Sequence, residues 1–282
     1  MSLVDLHTHT TESDGTLTPV ELVRAAADAG VRVLAITDHD TITDSPEARD
    51  EARRTGVALI RGIELSCRHE GKSIHLLGYF FDGVSRGGFG QWLDEILESR
   101  RDRNVRLERR LKELGVTVTV KEAEAYGQGL TGRPHFARVM IDKGYVSGIR
   151  EAFDRYLGES APGYVERYSP DVSEAIERMR TAGAVPSLAH PIRVGGGDPG
   201  RQDLMIARFA EQGLIAIEAF HTDHSPELTG RFLSLASKYR LAVSGGSDFH
   251  GENKPGVELG TGSGNLRVPE WVVEGLRQRS PG

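Results

Sequence analysis

Val31-Arg32-Val33-Leu34-Ala35-Ile36-Thr37-Asp38-His39-Asp40 runs from six strand-like residues directly into a cluster of metal-ligand type. An apolar, β-branched run of this length reads as a buried strand, and a helix signature precedes it. Thr18 can N-cap that helix, Pro19 suits its first turn, Glu21 completes a capping box, and Gly30 closes it. The same helix-Gly-strand unit returns in Gly56 with 57–60 before Glu64, Gly183 with 184–189 before His190, and Gly213 with 214–220 before His221. A last unit carries Leu241-Ala242-Val243-Ser244 toward Asp248 and His250. Strands alternating with helices imply a mostly parallel sheet, and polar chemistry gathered at strand carboxyl ends is the habit of an α/β barrel. An open doubly wound sheet competes, but its ligands would collect at one switch point rather than around a ring. From about Gly88 to Ser169 the rhythm gives way to helical sequence, Trp92 to Leu97 and Val105 to Leu114. The expected organisation is a barrel domain of residues 1–87 and 170–282, interrupted by a helical subdomain at 88–169.

The 282 residues, 38% hydrophobic and 27% charged, suffice for one large domain with an insertion. A formal charge of -6 argues against broad attraction to nucleic acid or anionic membranes. Cys67 is the sole cysteine, which excludes an internal disulfide and a cysteine-built zinc site and fits a reducing cytoplasm. Strand-like sequence begins at Leu3 without a secretory leader pattern, and no run of about 18 apolar residues occurs, so neither secretion nor membrane insertion is expected. The insert's Arg100, Arg101, Arg103, Arg106, Arg109 and Arg110 are interleaved with Asp102, Glu108 and Glu113. That pattern reads mainly as a solvated, salt-bridged helix face, with one or two arginines free to reach an active site.

Nine residues of ligand type stand at or near strand ends: His7, His9, Asp14, His39, Glu64, His75, His190, Asp248 and His250. A strand alternates faces every second residue, so His7 and His9 point the same way and can grip one ion. Any one of these histidines alone would read as a hydrogen-bonded core residue, and His75 could be simply an inward strand residue. Together they indicate a site for two to three divalent ions, with imidazole and carboxylate suiting Mn, Fe or Zn. Asp38 and Asp40 are expected to orient His39 rather than to ligate.

The motifs His7-Thr8-His9, Ser13-Asp14-Gly15, Thr37-Asp38-His39-Asp40, Gly62-Ile63-Glu64, His190-Pro191 and Ser247-Asp248-Phe249-His250 resemble those of the polymerase and histidinol phosphatase (PHP) family of metal-dependent phosphoesterases. The resemblance spans nearly the whole chain. It implies a distorted (β/α)7 barrel with the inserted helical subdomain. His7, His9, Glu64 and Asp248 would hold one ion, with Glu64 bridging to a second held by His75 and His190. Asp14, His39 and His250 would hold a third. A metal-bridging hydroxide would then attack phosphorus in line, with no protein nucleophile.

Within that family Gly132-Arg133-Pro134-His135-Phe136-Ala137-Arg138 is similar to the subgroup that hydrolyses nucleoside 3',5'-bisphosphates such as pAp and trims short RNA from the 5' end. Arg133 and His135 are candidates to clamp a second phosphate, and a guanidinium suits bidentate binding. Arg193 follows His190-Pro191 and is a candidate for phosphate contact, although Ile192 stands where the subgroup has glycine. His221 is a candidate proton donor or substrate contact, whereas His224 reads as a loop residue. The expected substrate is a small phosphorylated nucleotide or a short RNA 5' end, with no obligate protein partner. A histidinol-phosphate-type phosphatase is the near alternative, and a metal-dependent amidohydrolase the alternative of another class. A noncatalytic interaction module predicts missing ligands. Gly195-Gly196-Gly197 and Gly260-Thr261-Gly262-Ser263-Gly264 lack the Lys-Ser/Thr of a P-loop and imply no triphosphate site.

Overall fold

Helix α1 (Pro19–Asp28) forms where the capping box placed it: Thr18 accepts from the Glu21 N–H while the Glu21 carboxylate accepts the Thr18 N–H at 2.8 Å. In the computed structural model, which describes residues 3–83, 87–127 and 130–280, that helix joins strands β1 (Leu3–Asp5) and β2 (Val31–Ile36). Helix α2 (Pro46–Thr55) then leads to β3 (Ala58–His69) and β4 (Lys72–Phe80). The insert contributes α3 (Gly87–Glu113), α4 (Val120–Glu124), α5 (Arg133–Asp142) and α6 (Ile149–Ala152). The chain continues through α7 (Val172–Thr181), β5 (Val185–Leu188), α8 (Pro199–Glu211), β6 (Ala216–His221), α9 (Pro226–Lys238), β7 (Ala242–Gly246) and α10 (Trp271–Arg277).

The seven strands lie in chain order, β1 to β7, in one sheet. Its two edges meet. Leu6 N–H donates to Gly245 O at 3.1 Å, Asp248 N–H to His7 O at 2.9 Å and His9 N–H to Phe249 O at 2.9 Å. Gly246 permits this closure, because a Cβ there would stand 2.3 Å from the His7 nitrogen. The result is the expected (β/α)7 barrel, distorted in one respect. Strand β4 runs antiparallel to both β3 and β5, whereas the other neighbouring pairs are parallel. The cause is local. Glu70 and Gly71 both take positive φ, 49° and 76°, which builds a two-residue hairpin where a crossover helix would otherwise be needed.

Apolar side chains of β1, β3 to β7 and the covering helices form the main core, including Leu6, Ile63, Leu65, Leu76, Ile217 and Phe232. The two helical stretches read in the insert are one helix, α3. Its first half sends Phe89, Trp92 and Ile96 into the barrel core, and its second half sends Leu107 and Leu111 into a separate core with Phe136, Val139 and Met140 of α5. Arginines of α3 divide by face. Arg101 and Arg110 pair with Glu98 and Glu113 in solvent, whereas Arg100 and Arg103 are buried on the stripe that also carries Ile96 and Leu107.

Candidate active site

The ends of the parallel strands, together with the β3–β4 hairpin that carries Glu64 and His75, bring all nine ligand-type residues together. Because β3 reaches the ring interior there, Glu64 is 1% exposed and fully surrounded by imidazoles. Its Oε2 lies 3.3 Å from His7 Nε2, 3.2 Å from His9 Nε2 and 3.2 Å from His39 Nδ1. Its Oε1 lies 2.9 Å from His75 Nδ1 and 3.0 Å from His190 Nε2. One carboxylate therefore faces two groups of nitrogen donors, the geometry a bridging ligand requires. Asp248 Oδ1 stands 3.5 Å from both His7 and His9 Nε2. Asp14 faces the opposite side, 3.3 Å from His250 Nε2 and 3.7 Å from His39 Nε2. Four overlapping groups with ligand atoms within 4.8 Å of one another result: His7, His9, Glu64, Asp248; His9, Asp14, His39, His250; His39, Glu64, His75; and His7, Glu218, His221.

The backbone at these strand ends is bent to aim the side chains. Asp40, His190 and Asp248 take φ of 54°, 28° and 57°, conformations that most residues avoid. Each is tied down: Asp40 N–H donates to Glu64 O and Asp248 N–H to His7 O, both at 2.9 Å, and His190 N–H donates to Glu218 Oε2 at 2.6 Å.

The donor set fits divalent ions. His7 Nε2, His9 Nε2 and His39 Nδ1 are buried without a hydrogen-bond partner among the described residues, and all three converge on Glu64 Oε2. Outer partners complete the pattern. Glu218, fully buried, accepts from His7 Nδ1 at 2.9 Å, which leaves the His7 Nε2 lone pair turned inward. His250 Nδ1 donates to Asp248 O at 2.9 Å and so presents Nε2.

Titration reflects the crowding of charge. Burial would push the His9 imidazole down, but Asp248, Glu64 and Asp14 raise it to about 10. His39 goes the other way: burial lowers it to about 4, beyond what Glu64 and Asp14 can offset. Burial opposes ionisation of Glu64, yet His39, His75 and His7 hold it well below the usual carboxylate range. Glu218 is likewise brought to about 2, against burial, by His7 and His221.

Beside this centre lies a cavity of about 200 Å³, whose walls include Asp14, His39 and His75 from the barrel and Arg100, Arg103 and Arg133 from the insert. Arg68 and Arg167 complete a set of five guanidiniums there. Burial lowers Arg103 well below its ordinary value, and Arg100, Arg133 and Arg167 add repulsion. Asp40 anchors this group, accepting from Arg100, from Arg167 at 2.8 Å and from Ser66 N–H at 2.7 Å. Asp38 instead accepts from Thr10 N–H, Thr10 Oγ1, Ser13 and Thr43. The expectation that these two carboxylates orient His39 is corrected: one fixes the loop carrying Asp14, the other the arginines.

Of the remaining candidates, Arg133 reaches the cavity, with its guanidinium 5.6 Å from the Phe153 ring and 5.5 Å from Tyr164. His135 does not line the cavity. It is 1% exposed and its Nδ1 accepts the Gly132 N–H at 2.9 Å, capping the turn that presents Arg133. Arg193 lies at the rim, 2.8 Å from Asp223 and 3.5 Å from Asp248. His221 Nδ1 accepts the Asp223 N–H at 3.0 Å, so the neutral ring carries its proton on Nε2, which faces Asp248 Oδ2 at 3.6 Å. Nε2 has no hydrogen-bond partner among the described residues, and His221 also lies close enough to His7 and Glu218 to form a ligand trio. His224 is buried, with Nδ1 on Ala219 O at 2.9 Å. The sequence reading passed over Glu218, Arg68 and Arg167. A carboxylate within the apolar run 214–220 was the available signal for Glu218, whereas the two arginines carried none.

A barrel that gathers carboxylates and imidazoles at its strand ends, next to a cationic cavity, defines a metal-dependent phosphoesterase. The chain belongs to the PHP family, whose PHP domain model matches residues 5–178. It is 35% identical over 279 residues to the 5'-3' exoribonuclease Rnm of Escherichia coli, covering 98% of this chain and 93% of that protein. It is 31% identical over 264 residues to a 3',5'-nucleoside bisphosphate phosphatase of Chromobacterium violaceum, covering 92% and 91%. A solved structure from Bifidobacterium adolescentis, assigned as a metal-dependent phosphoesterase, superposes with a TM-score of 0.85 at 29% identity, covering 100% of this chain and 97% of that one. No helix of the described residues is long and apolar enough to cross a membrane.

Proposed function

We propose that the protein removes phosphate from nucleoside 3',5'-bisphosphates of the pAp type and also trims short RNA from the 5' end. The observation that carries this reading is the five-arginine cavity beside the ligand cluster. A substrate with one phosphate among the imidazoles and a second phosphate or phosphodiester at a nucleoside's distance satisfies both. The names of the Escherichia coli and Chromobacterium violaceum relatives support the same two substrate classes. A histidinol phosphatase remains the runner-up, and its substrate offers no second phosphate to the arginines.

His7, His9, Glu64 and Asp248 are proposed to hold one ion, Glu64, His75 and His190 a second, and Asp14, His39 and His250 a third, with Mn, Fe or Zn as occupants. Bound ions of this kind supply Lewis acidity and water of lowered pKa. The chain's own groups do the rest. Glu218 fixes the His7 tautomer, His221 brings an Nε2 proton toward the leaving oxygen, and Arg193 at the rim and Arg133 in the arginine cavity contact phosphate oxygens. His135 acts by holding the Arg133 turn. The separate core of the insert supports assigning residues 88–169 to a subdomain of its own, with 1–87 and 170–282 as the barrel. A cytoplasmic setting is part of the same proposal.

The test compares phosphate release from pAp, AMP and histidinol phosphate by Mn-reconstituted and metal-stripped protein. Preference for pAp in kcat/KM, lost on stripping, is expected. Arg133→Ala should weaken turnover of pAp about 10-fold or more through KM while sparing a monophosphate, the order expected for one lost charge-assisted phosphate contact. Equal losses on both substrates would remove Arg133 from the clamp.

A further inference from the structure

A larger cavity, about 670 Å³, adjoins the arginine cavity. It shares the Ser73 and Glu159 wall with the arginine cavity and reaches Arg193, the rim residue 3.5 Å from Asp248. One flank is a single face of α8. Arg201, Leu204, Met205 and Arg208 follow one another at i, i+3, i+4 and i+7, so they form one stripe. The neighbouring face of α8 is used for the core, through Gln202, Ile206 and Phe209, and Met205 packs partly against it. Leu204 nevertheless stands 73% exposed between the two arginines. No structural demand of the helix places a leucine there.

Charge in this groove is predominantly positive. Lys72, Arg193, Arg201 and Arg208 face two carboxylates, Glu70 and Glu159. Glu70 stands 3.7 Å from Arg208 in solvent, and Glu159 accepts the Ser73 N–H at 3.2 Å. Exposed pairs of that kind are weak and leave Arg208 available. Arg201 and Arg208 lie about 10 Å apart along the helix, so they engage different phosphates.

We propose that this groove holds the part of an RNA strand that lies 3' of the scissile phosphate, with backbone phosphates on Arg201 and Arg208 and a base against Leu204 and Met205. The inference rests on the reading of the site as a bisphosphate and RNA-end hydrolase, and the chemistry makes the two substrates continuous. In pAp and in a 5'-phosphorylated strand alike, water adds hydroxyl to the phosphorus attached to the first nucleoside's 3' oxygen. The P–O3' bond breaks, and the 3' oxygen leaves with a proton. The products differ in one respect: one oxygen on the released phosphorus carries either hydrogen or the rest of the strand. An enzyme for bisphosphates alone needs the arginine cavity and the ligand cluster. A strand also needs a path onward from the phosphorus, lined by cations at intervals and an apolar step, and this groove, which reaches Arg193 beside Asp248, has that lining.

The test uses the full-length Arg201→Glu/Arg208→Glu double variant, reconstituted with Mn, on pAp and on a 5'-phosphorylated tetra-adenylate. The expected result is a loss of about 10-fold or more in kcat/KM on the oligonucleotide with pAp turnover within about twofold of wild type, because both side chains are exposed and phosphate contacts are the ones removed. A second readout needs no turnover: anisotropy of the same oligonucleotide, 3'-labelled, with metal-stripped protein across a salt series. The dependence of log affinity on log salt should fall by about 0.7 for each lost phosphate contact. An unchanged oligonucleotide kcat/KM and salt slope, or an equal loss on pAp, overturns the groove assignment. If wild-type enzyme hydrolyses neither substrate, the bisphosphate reading fails, while the salt slope still decides whether the groove binds RNA.

Discussion

Glu218→Gln isolates the role of a buried carboxylate that touches no substrate. Glu218 Oε1 accepts from His7 Nδ1 at 2.9 Å and Oε2 accepts from His190 N–H at 2.6 Å, so one side chain sets two residues of the ligand cluster. Glutamine keeps the shape but supplies one acceptor. If its oxygen stays with His7, its amide N–H group faces the His190 N–H, and two buried donors oppose each other. Losing one charge-assisted hydrogen bond in a dry site costs about 1.5–3 kcal/mol. Removal of such an outer partner typically weakens metal affinity by about 10–100-fold. The assay is competition for Mn or Zn against a fluorescent chelator, followed by kcat at saturating metal. We expect the affinity loss to dominate and kcat to recover in excess metal. A pH series adds a sign test. Glu218 is held at about 2 in the folded protein against 4.5 as its reference, so its stabilisation is complete above about 4.5 and is lost as pH falls toward 2. The stability gap between wild type and variant should therefore narrow on acidification across that window. Unchanged metal affinity, or a gap that widens on acidification, would refute the reasoning.

Metal loading should release protons. His9 is held at about 10, so it is charged at pH 8 in the metal-free protein and must become neutral to donate a lone pair. Calorimetry of Mn loading in buffers of different ionisation enthalpy should show proton release and an affinity that weakens as pH falls; a pH-independent affinity would contradict it. Gly246→Ala should destabilise the barrel closure, because a Cβ would stand 2.3 Å from His7 N and 2.4 Å from its Cβ. Overpacking of about 1–3 kcal/mol predicts a Tm lower by several degrees in thermal unfolding, and an unchanged Tm would sink the argument.

The strand ends were legible because side-chain chemistry and periodicity coincided there. His7 and His9 share a face by alternation alone, and Asp38-His39 follows an unbroken apolar run, so a ring of ligand-type residues could be read without coordinates. The direction of β4 was not, since a hairpin at Glu70-Gly71 and a crossover both join apolar strands. Glu218 was hidden for a related reason. It lies inside a strand rather than at its end, and only the closed ring shows that an inward carboxylate at that register meets His7. Arg100 and Arg103 were partly legible: helical spacing puts them in line with Ile96 and Leu107, and that stripe is more informative than the charge count that made the segment look solvated.

Asp40 shows how one position changes meaning once the chain is folded. Next to His39 in sequence, it reads as a partner for that imidazole. In the structure its φ of 54° turns it away, and it accepts from Arg100 near the start of the insert and Arg167 near its end. Burial works against its ionisation, yet those two guanidiniums keep it below the ordinary carboxylate range. The strand-end turn that delivers His39 to the ligand cluster thus also fixes both ends of the helical insert over the cavity. A backbone shift at residues 38–40 would move an imidazole and two arginines together, so the ligand cluster and the cationic cavity are set by the same turn rather than by independent parts of the fold.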